Sequence, residues 1–175
     1  MAVINRQTNK MNIHPLFVHF PIGLLVVYGL LELIRFNKIL NNSYLKFLKG
    51  FLSITGLLTA GLAVITGDIA KETLSLTPEV SRLIETHETF AQMTFLVFFV
   101  LAAAYSIYFI GISKYSKLIP EFIYSIAHFI RESWLTPLIA LLGIALITIT
   151  GGLGAAIVYG ANIDPVVKAI YSLFF

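Results

Sequence analysis

The chain has 175 residues, of which 58% are apolar by type and only 12% charged, about half the charged share of an ordinary soluble domain. Its 12 Lys and Arg against 9 Asp and Glu give a net charge of +3, too small to point to an anionic partner and too few charges to keep so apolar a chain dissolved. Soluble single-domain enzymes, disordered regulators and nucleic-acid modules are excluded, and the lack of cysteine removes disulfide scaffolds, thiolate metal sites, iron–sulfur clusters and covalent haem attachment.

No Asp, Glu, Lys or Arg lies between Lys10 and Glu32, Lys49 and Asp68, Glu88 and Lys114, or Glu132 and Asp164. Each interval accommodates the roughly 20 apolar residues that cross a bilayer as helix, and backbone polar groups in lipid must be satisfied within their own segment. The expected fold is all-α: one transmembrane domain over residues 1–175, an up-and-down four-helix bundle with short interfacial amphipathic helices. The spans are expected at about 14–36, 46–67, 88–112 and 134–160.

In chain order, the first span reads as a retained helix rather than a cleaved signal peptide. Its apolar run from Pro15 to Leu31 is long, and Glu32-Leu33-Ile34-Arg35 follows it in place of a small-residue cleavage pattern. Glu32 and Arg35 are spaced to pair with each other at its end. Leu45, Phe47 and Leu48 extend the second span while Lys46 and Lys49 snorkel, and Asp68 is expected as a solvated loop carboxylate. Thr77-Pro78-Glu79 signals a helix start, and that helix runs through Glu85, His87 and Glu88 directly into the third span. Glu121, Ser125, His128 and Glu132 then recur at helical spacing among Phe122, Ile123, Ile126, Phe129 and Ile130, the pattern of an amphipathic helix in the interface. Trp134, Tyr44 and Tyr115 fit an aromatic belt. Asp164-Pro165 opens a last short helix. No segment is of low complexity and no internal repeat stands out.

Four spans put the N-terminus, the second loop and the C-terminus on one side, with Arg6, Lys10, Lys71, Arg82 and Lys168. The other side carries Arg35, Lys38, Lys46, Lys49, Lys114, Lys117 and Arg131. The richer side is expected to be cytoplasmic, with both termini outside the cytoplasm.

The same topology gathers His14, His19, Asp68, His87 and the run Gly151-Gly152-x-Gly154 at the end of the bundle that holds the termini. His128 falls on the opposite side and is given no role. Within His14-Pro15-Leu16-Phe17-Val18-His19-Phe20-Pro21, Pro15 disfavours helix at His14, which should cap or precede the span. His19 then lies roughly 7 Å deeper, where Pro21 frees the Phe17 carbonyl. Ionisable groups inside a span are costly and usually have a role, so His19 and His87 are the expected ligand pair. His14 is then available to a ligand's polar edge, and Gly151 and Gly154 make room for a flat ligand. Each residue also has a bland reading. His14 would be an interfacial cap, His19 a donor between helices, His87 a surface residue at the membrane edge, and the glycines close-packing positions. Asp68 has a further functional reading, as an acceptor from an imidazole N–H.

The motif His-Pro-x-x-Val-His-Phe-Pro-Ile-Gly, His14 to Gly23, resembles the bacterial membrane-protein family catalogued as domain of unknown function 2231. Thr66-Gly67-Asp68, His87 and the stretch from Gly151 to Gly160 are similar too. Family members usually carry a His-Gly-Val-like ending after the last span's tyrosine, where this chain has Tyr159-Gly160-Ala161-Asn162. The resemblance implies a setting near redox modules such as Rieske domains.

The leading functional expectation is a b-type haem subunit that moves electrons near the extracytoplasmic face, to or from a quinone or a redox protein, with His19 and His87 as axial ligands. Two others stand beside it: a Zn or Cu site on the same histidines, and a cofactor-free membrane anchor in a larger redox complex. Transport has little support, because no charge falls near the middle of any span. Nucleotide and nucleic-acid binding have no motif.

Overall fold

The computed structural model describes residues 13–35, 42–72 and 77–175. Among these residues all regular structure is helical: α1 His14–Leu33, α2 Ser43–Lys71, α3 Pro78–Gly111, α4 Glu121–Glu132, α5 Leu135–Tyr159 and α6 Pro165–Tyr171, with a short 3-10 turn at Ser116–Leu118 between α3 and α4. The helices α1, α2, α3 and α5 are each long and apolar enough to cross a membrane, the make-up of a multi-pass membrane protein.

The boundaries follow local chemistry. Asn42 caps α2 by accepting from the Tyr44 and Leu45 amides, Thr77 caps α3 through the Val80 amide, and Asp164 caps α6 through Val166 and Val167. These are the side chains that satisfy orphan N–H groups at helix starts. Pro78 and Pro165 follow their caps at the first turn, where a missing N–H costs nothing. Gly160 ends α5 with φ +91°, the left-handed conformation that glycine adopts without strain.

α1 and α3 each pack against both α2 and α5, while α4 lies on α3 and α6 on α5. The main core joins Leu25 and Tyr28 of α1, Leu52 of α2, Phe98, Leu101 and Tyr105 of α3, and Ala140 and Ile147 of α5. Tyr28 meets Phe98 and Tyr105 edge-on, the arrangement favoured by the ring quadrupole. Close helix approach rests on glycine. A methyl at Gly56 would come within 2.5 Å of Leu25, and one at Gly143 within 2.7 Å of Phe98. A smaller cluster of Leu83, Leu153, Ala156, Val167 and Ile170 fastens α6 to the rest.

Several expectations are corrected. α2 continues through Asp68 to Lys71, so Asp68 is an exposed helical residue rather than part of a loop. His14 is the first residue of α1 and Ile13 its cap, because Pro15 falls where a helix tolerates proline. α1 also continues through Pro21. Lys49 does not snorkel but is buried. On α4 the buried residues are Ala127 and Arg131, while Phe122, Ile126 and Phe129 point outward. An outward apolar face is stable where the surroundings are lipid rather than water. Arg6, Lys10 and Lys38 lie outside the described residues.

Candidate functional site

Two polar clusters sit at opposite ends of the long helices. The first is the histidine end. The His14 Nδ1 lies 3.1 Å from the Thr66 hydroxyl of α2. That hydroxyl reaches the Ala63 carbonyl at 3.0 Å, and the Ala63 backbone is also a hydrogen-bond partner of His14. The Nδ1 of His87 donates across to α5, to the Thr150 carbonyl at 3.0 Å. Two turns further along α3, the Thr94 hydroxyl stands 3.2 Å from the Thr150 hydroxyl. Both rings are half-buried.

Each ring also lies over a glycine of the neighbouring helix. A methyl at Gly67 would stand 3.2 Å from Cε1 of His14, and a methyl at Gly154 would stand 3.2 Å from Cε1 of His87. Side chains at these two positions would press on the rings. At Gly154 the space beside the helix is taken by the His87 ring, whereas Gly151 borders open space, with nothing within 4 Å of where a side chain would begin. The contact of Gly67 with His14 is not one that the sequence pattern reveals.

His19 does not join this group. It is exposed, and its Nδ1 donates to the Pro15 carbonyl of its own helix. Five residues on a helix correspond to a rotation of about 140°, which carries His19 away from the face that His14 presents to α2. His19 therefore does not face the bundle interior as expected; the α1 ring that lies against a neighbouring helix is His14. Lys71 closes the same end by gripping both carboxylate oxygens of Glu88 at 2.8 Å. Among the described residues, no group of three or more His, Asp or Glu is placed to hold a metal ion.

The second cluster was read only as a helix-end pair. Glu32 does not pair with Arg35. Its carboxylate is 1% exposed and accepts from Lys49 at 2.9 Å and from the Tyr105 hydroxyl at 2.6 Å. Three helices are thereby joined at one buried ion pair. Arg35 instead donates to the backbone carbonyls of Glu132 and Ser133 at 2.6 and 2.9 Å, filling the open C-terminus of α4, and lies 5.4 Å over the Trp134 ring. Arg131, 6% exposed, pairs with Glu132 at 2.7 Å and stacks 3.9 Å over Tyr108. The signal that could have found this cluster is the set of charges within one turn of the ends of spans 1, 2 and 4. Charges held there rather than in the loops are worth suspecting as partners.

Comparison with known protein families, curated proteins and solved structures gave no match.

Proposed function

We propose that the chain is an up-and-down four-helix membrane subunit that carries electrons by way of a b-type haem held between His14 of α1 and His87 of α3. The observation that carries this reading is the matched setting of the two imidazoles. Each brings its Nδ1 within hydrogen-bond reach of an oxygen of an adjacent helix, Thr66 Oγ1 or the Thr150 carbonyl. Outer contacts of this kind orient an imidazole behind an axial position, which supports the reading. The packing of α1 and α3 against both α2 and α5 puts the two histidine-bearing helices at opposite corners, which supports a ligand shared between them. Bound there, a haem supplies one-electron storage; the protein contributes ligands, their orientation and dry surroundings.

Two imidazoles are the donor set a b-type haem takes, and Gly67 and Gly154 let the two rings lie close against α2 and α5. His19 does not fit it, since its ring faces outward. A Zn or Cu ion would find only the same two imidazoles, half of a four-ligand set. The resemblance of the His14–Gly23 motif to the family catalogued as domain of unknown function 2231 favours a redox setting, with a quinone or a redox protein as partner. We place the site near the extracytoplasmic face on the cation count, and the chain in a bacterial inner membrane on the same resemblance.

A second reading is a cofactor-free anchor subunit. It is favoured by the fact that all three imidazoles at this end already engage protein oxygens. The visible spectrum of protein purified in mild detergent separates the two. A Soret band that sharpens on reduction is expected. It should be lost in His14→Ala and His87→Ala and kept in His19→Ala. A colourless preparation after expression with haem precursor overturns the haem reading and leaves the anchor, and stoichiometric zinc or copper in that preparation replaces it with a metal site.

A further inference from the structure

The cluster at the other end encloses a cavity of about 20 Å3, lined by Glu32, Arg35, Leu45, Lys46, Lys49, Tyr105, Arg131 and Glu132. Four of these residues are cationic and two are carboxylates, a surplus of two positive charges. Lys49 is neutralised by Glu32 and Arg131 by Glu132, and Lys46 reaches only to 3.9 Å from Glu132, which Arg131 already holds. The bonds of Arg35 go to neutral backbone carbonyls.

Two guanidinium nitrogens at this place, Nη1 of Arg35 and Nε of Arg131, are buried with no hydrogen-bond partner among the described residues. An unpaired buried donor on a charged group is costly, and the two cations left over, Arg35 and Lys46, stand half-exposed beside the same cavity, where an anion could still reach them. Water in the cavity would satisfy the donors and leave the charge. An oxyanion answers both, and guanidinium groups suit phosphate oxygens in particular. The volume admits one or two oxygens, since a single water needs about 10–15 Å3 on this measure, so the rest of the ligand would stay at the mouth.

The lining residues fall at the ends of candidate spans, the level at which a membrane surface is expected. Trp134 and Tyr44, 73% and 87% exposed, flank the mouth as interfacial aromatics do. This is also the cation-rich side, expected to be cytoplasmic, where anionic lipids concentrate and where basic pockets between helices take lipid headgroups. We propose that this cavity is a phosphate-binding site, filled by the phosphate of an anionic phospholipid whose oxygens meet Arg35 and Arg131 while Lys46 closes the entrance. The site is independent of the histidine end and of any cofactor there.

The experiment is lipid binding to the full chain in mild detergent, read by native mass spectrometry and by thermal unfolding. The probes are phosphatidylglycerol, phosphatidylcholine and inorganic phosphate. Phosphatidylglycerol is expected to be retained about tenfold more strongly than phosphatidylcholine and to raise the unfolding midpoint. Arg35→Gln should weaken it by about tenfold or more, the size of a lost charge-assisted bond. Lys46→Gln, at the partly exposed mouth and without effect on folding, should weaken it less, and Lys117→Gln, exposed on the same side, not at all. Stabilisation by inorganic phosphate alone, lost in Arg35→Gln, would support the oxyanion site with a free anion as its ligand. Equal retention of the two lipids, or a preference unchanged in both Arg35→Gln and Lys46→Gln, overturns the proposal.

Discussion

Glu32 is the residue on which the loop-side cluster turns. With Lys49 and Tyr105 as partners its carboxylate is a satisfied buried anion; without Lys49 it is an uncompensated one. Lys49→Met is therefore expected to destabilise the protein by about 3–5 kcal/mol, measured as unfolding in detergent. Replacing both members of the pair, Glu32→Leu with Lys49→Met, should recover much of that loss, because the charge left stranded is then gone. A double variant no better than the single one would show that the pair is not what holds the three helices here. The spacing of Glu32 and Arg35 could not reveal this arrangement. Residues three apart on a helix can meet, but a carboxylate facing the core is claimed by whichever cation the neighbouring helix brings to the same depth, and α2 brings Lys49.

Among the elements, glycine spacing carries the packing, and not every glycine contributes equally. Gly143→Ala would push its methyl to within 2.7 Å of the Phe98 ring, which is completely buried and has nowhere to move. Such overpacking costs about 1–3 kcal/mol. Gly23→Ala should be neutral or stabilising by up to about 1 kcal/mol, since nothing lies within 4 Å and alanine is the better helix former. Thermal unfolding of the two variants side by side checks the contrast. Helix starts belong to the same scale: Asp164→Ala removes the acceptor for two amides and should loosen α6 by about 1 kcal/mol, read as faster hydrogen exchange at Val166 and Val167. Both cap sequences, Thr77-Pro78 and Asp164-Pro165, were legible because the bonds they make lie within three residues of themselves.

For the whole molecule, the four long helices, if they alternate through the membrane, leave the α3–α4 connection and the α5–α6 turn on opposite faces. The cation count puts the former in the cytoplasm. In a chain with no cysteine, Lys117→Cys and Asn162→Cys provide single exposed probes of the two faces. An impermeant thiol reagent applied to intact cells should label residue 162 and spare residue 117. The opposite result reverses the orientation, and labelling of both would mean that the helices do not alternate. The histidine proposal depends on this scale as well, because only an alternating arrangement places the start of α1 and the start of α3 at one end.

What the sequence determined by itself was whatever depends on nearby residues. Charge-free runs of sufficient length make helices of α1, α2, α3 and α5, because a lipid-exposed backbone has no other way to satisfy its polar groups. The polar pattern at residues 121–132 marked α4, and the prolines after Thr77 and Asp164 marked two helix starts. The tertiary structure decided which side chains meet. His14 rather than His19 faces a neighbouring helix, because the rotation of α1 is set by Leu25 and Tyr28 seeking the core, and that rotation turns His19 outward. Glu32 finds Lys49 and Tyr105, and Arg131 comes to rest over Tyr108, for the same reason. A side chain's partner depends on the depth and rotation of helices far away in sequence, and these follow from the packing of all four long helices together.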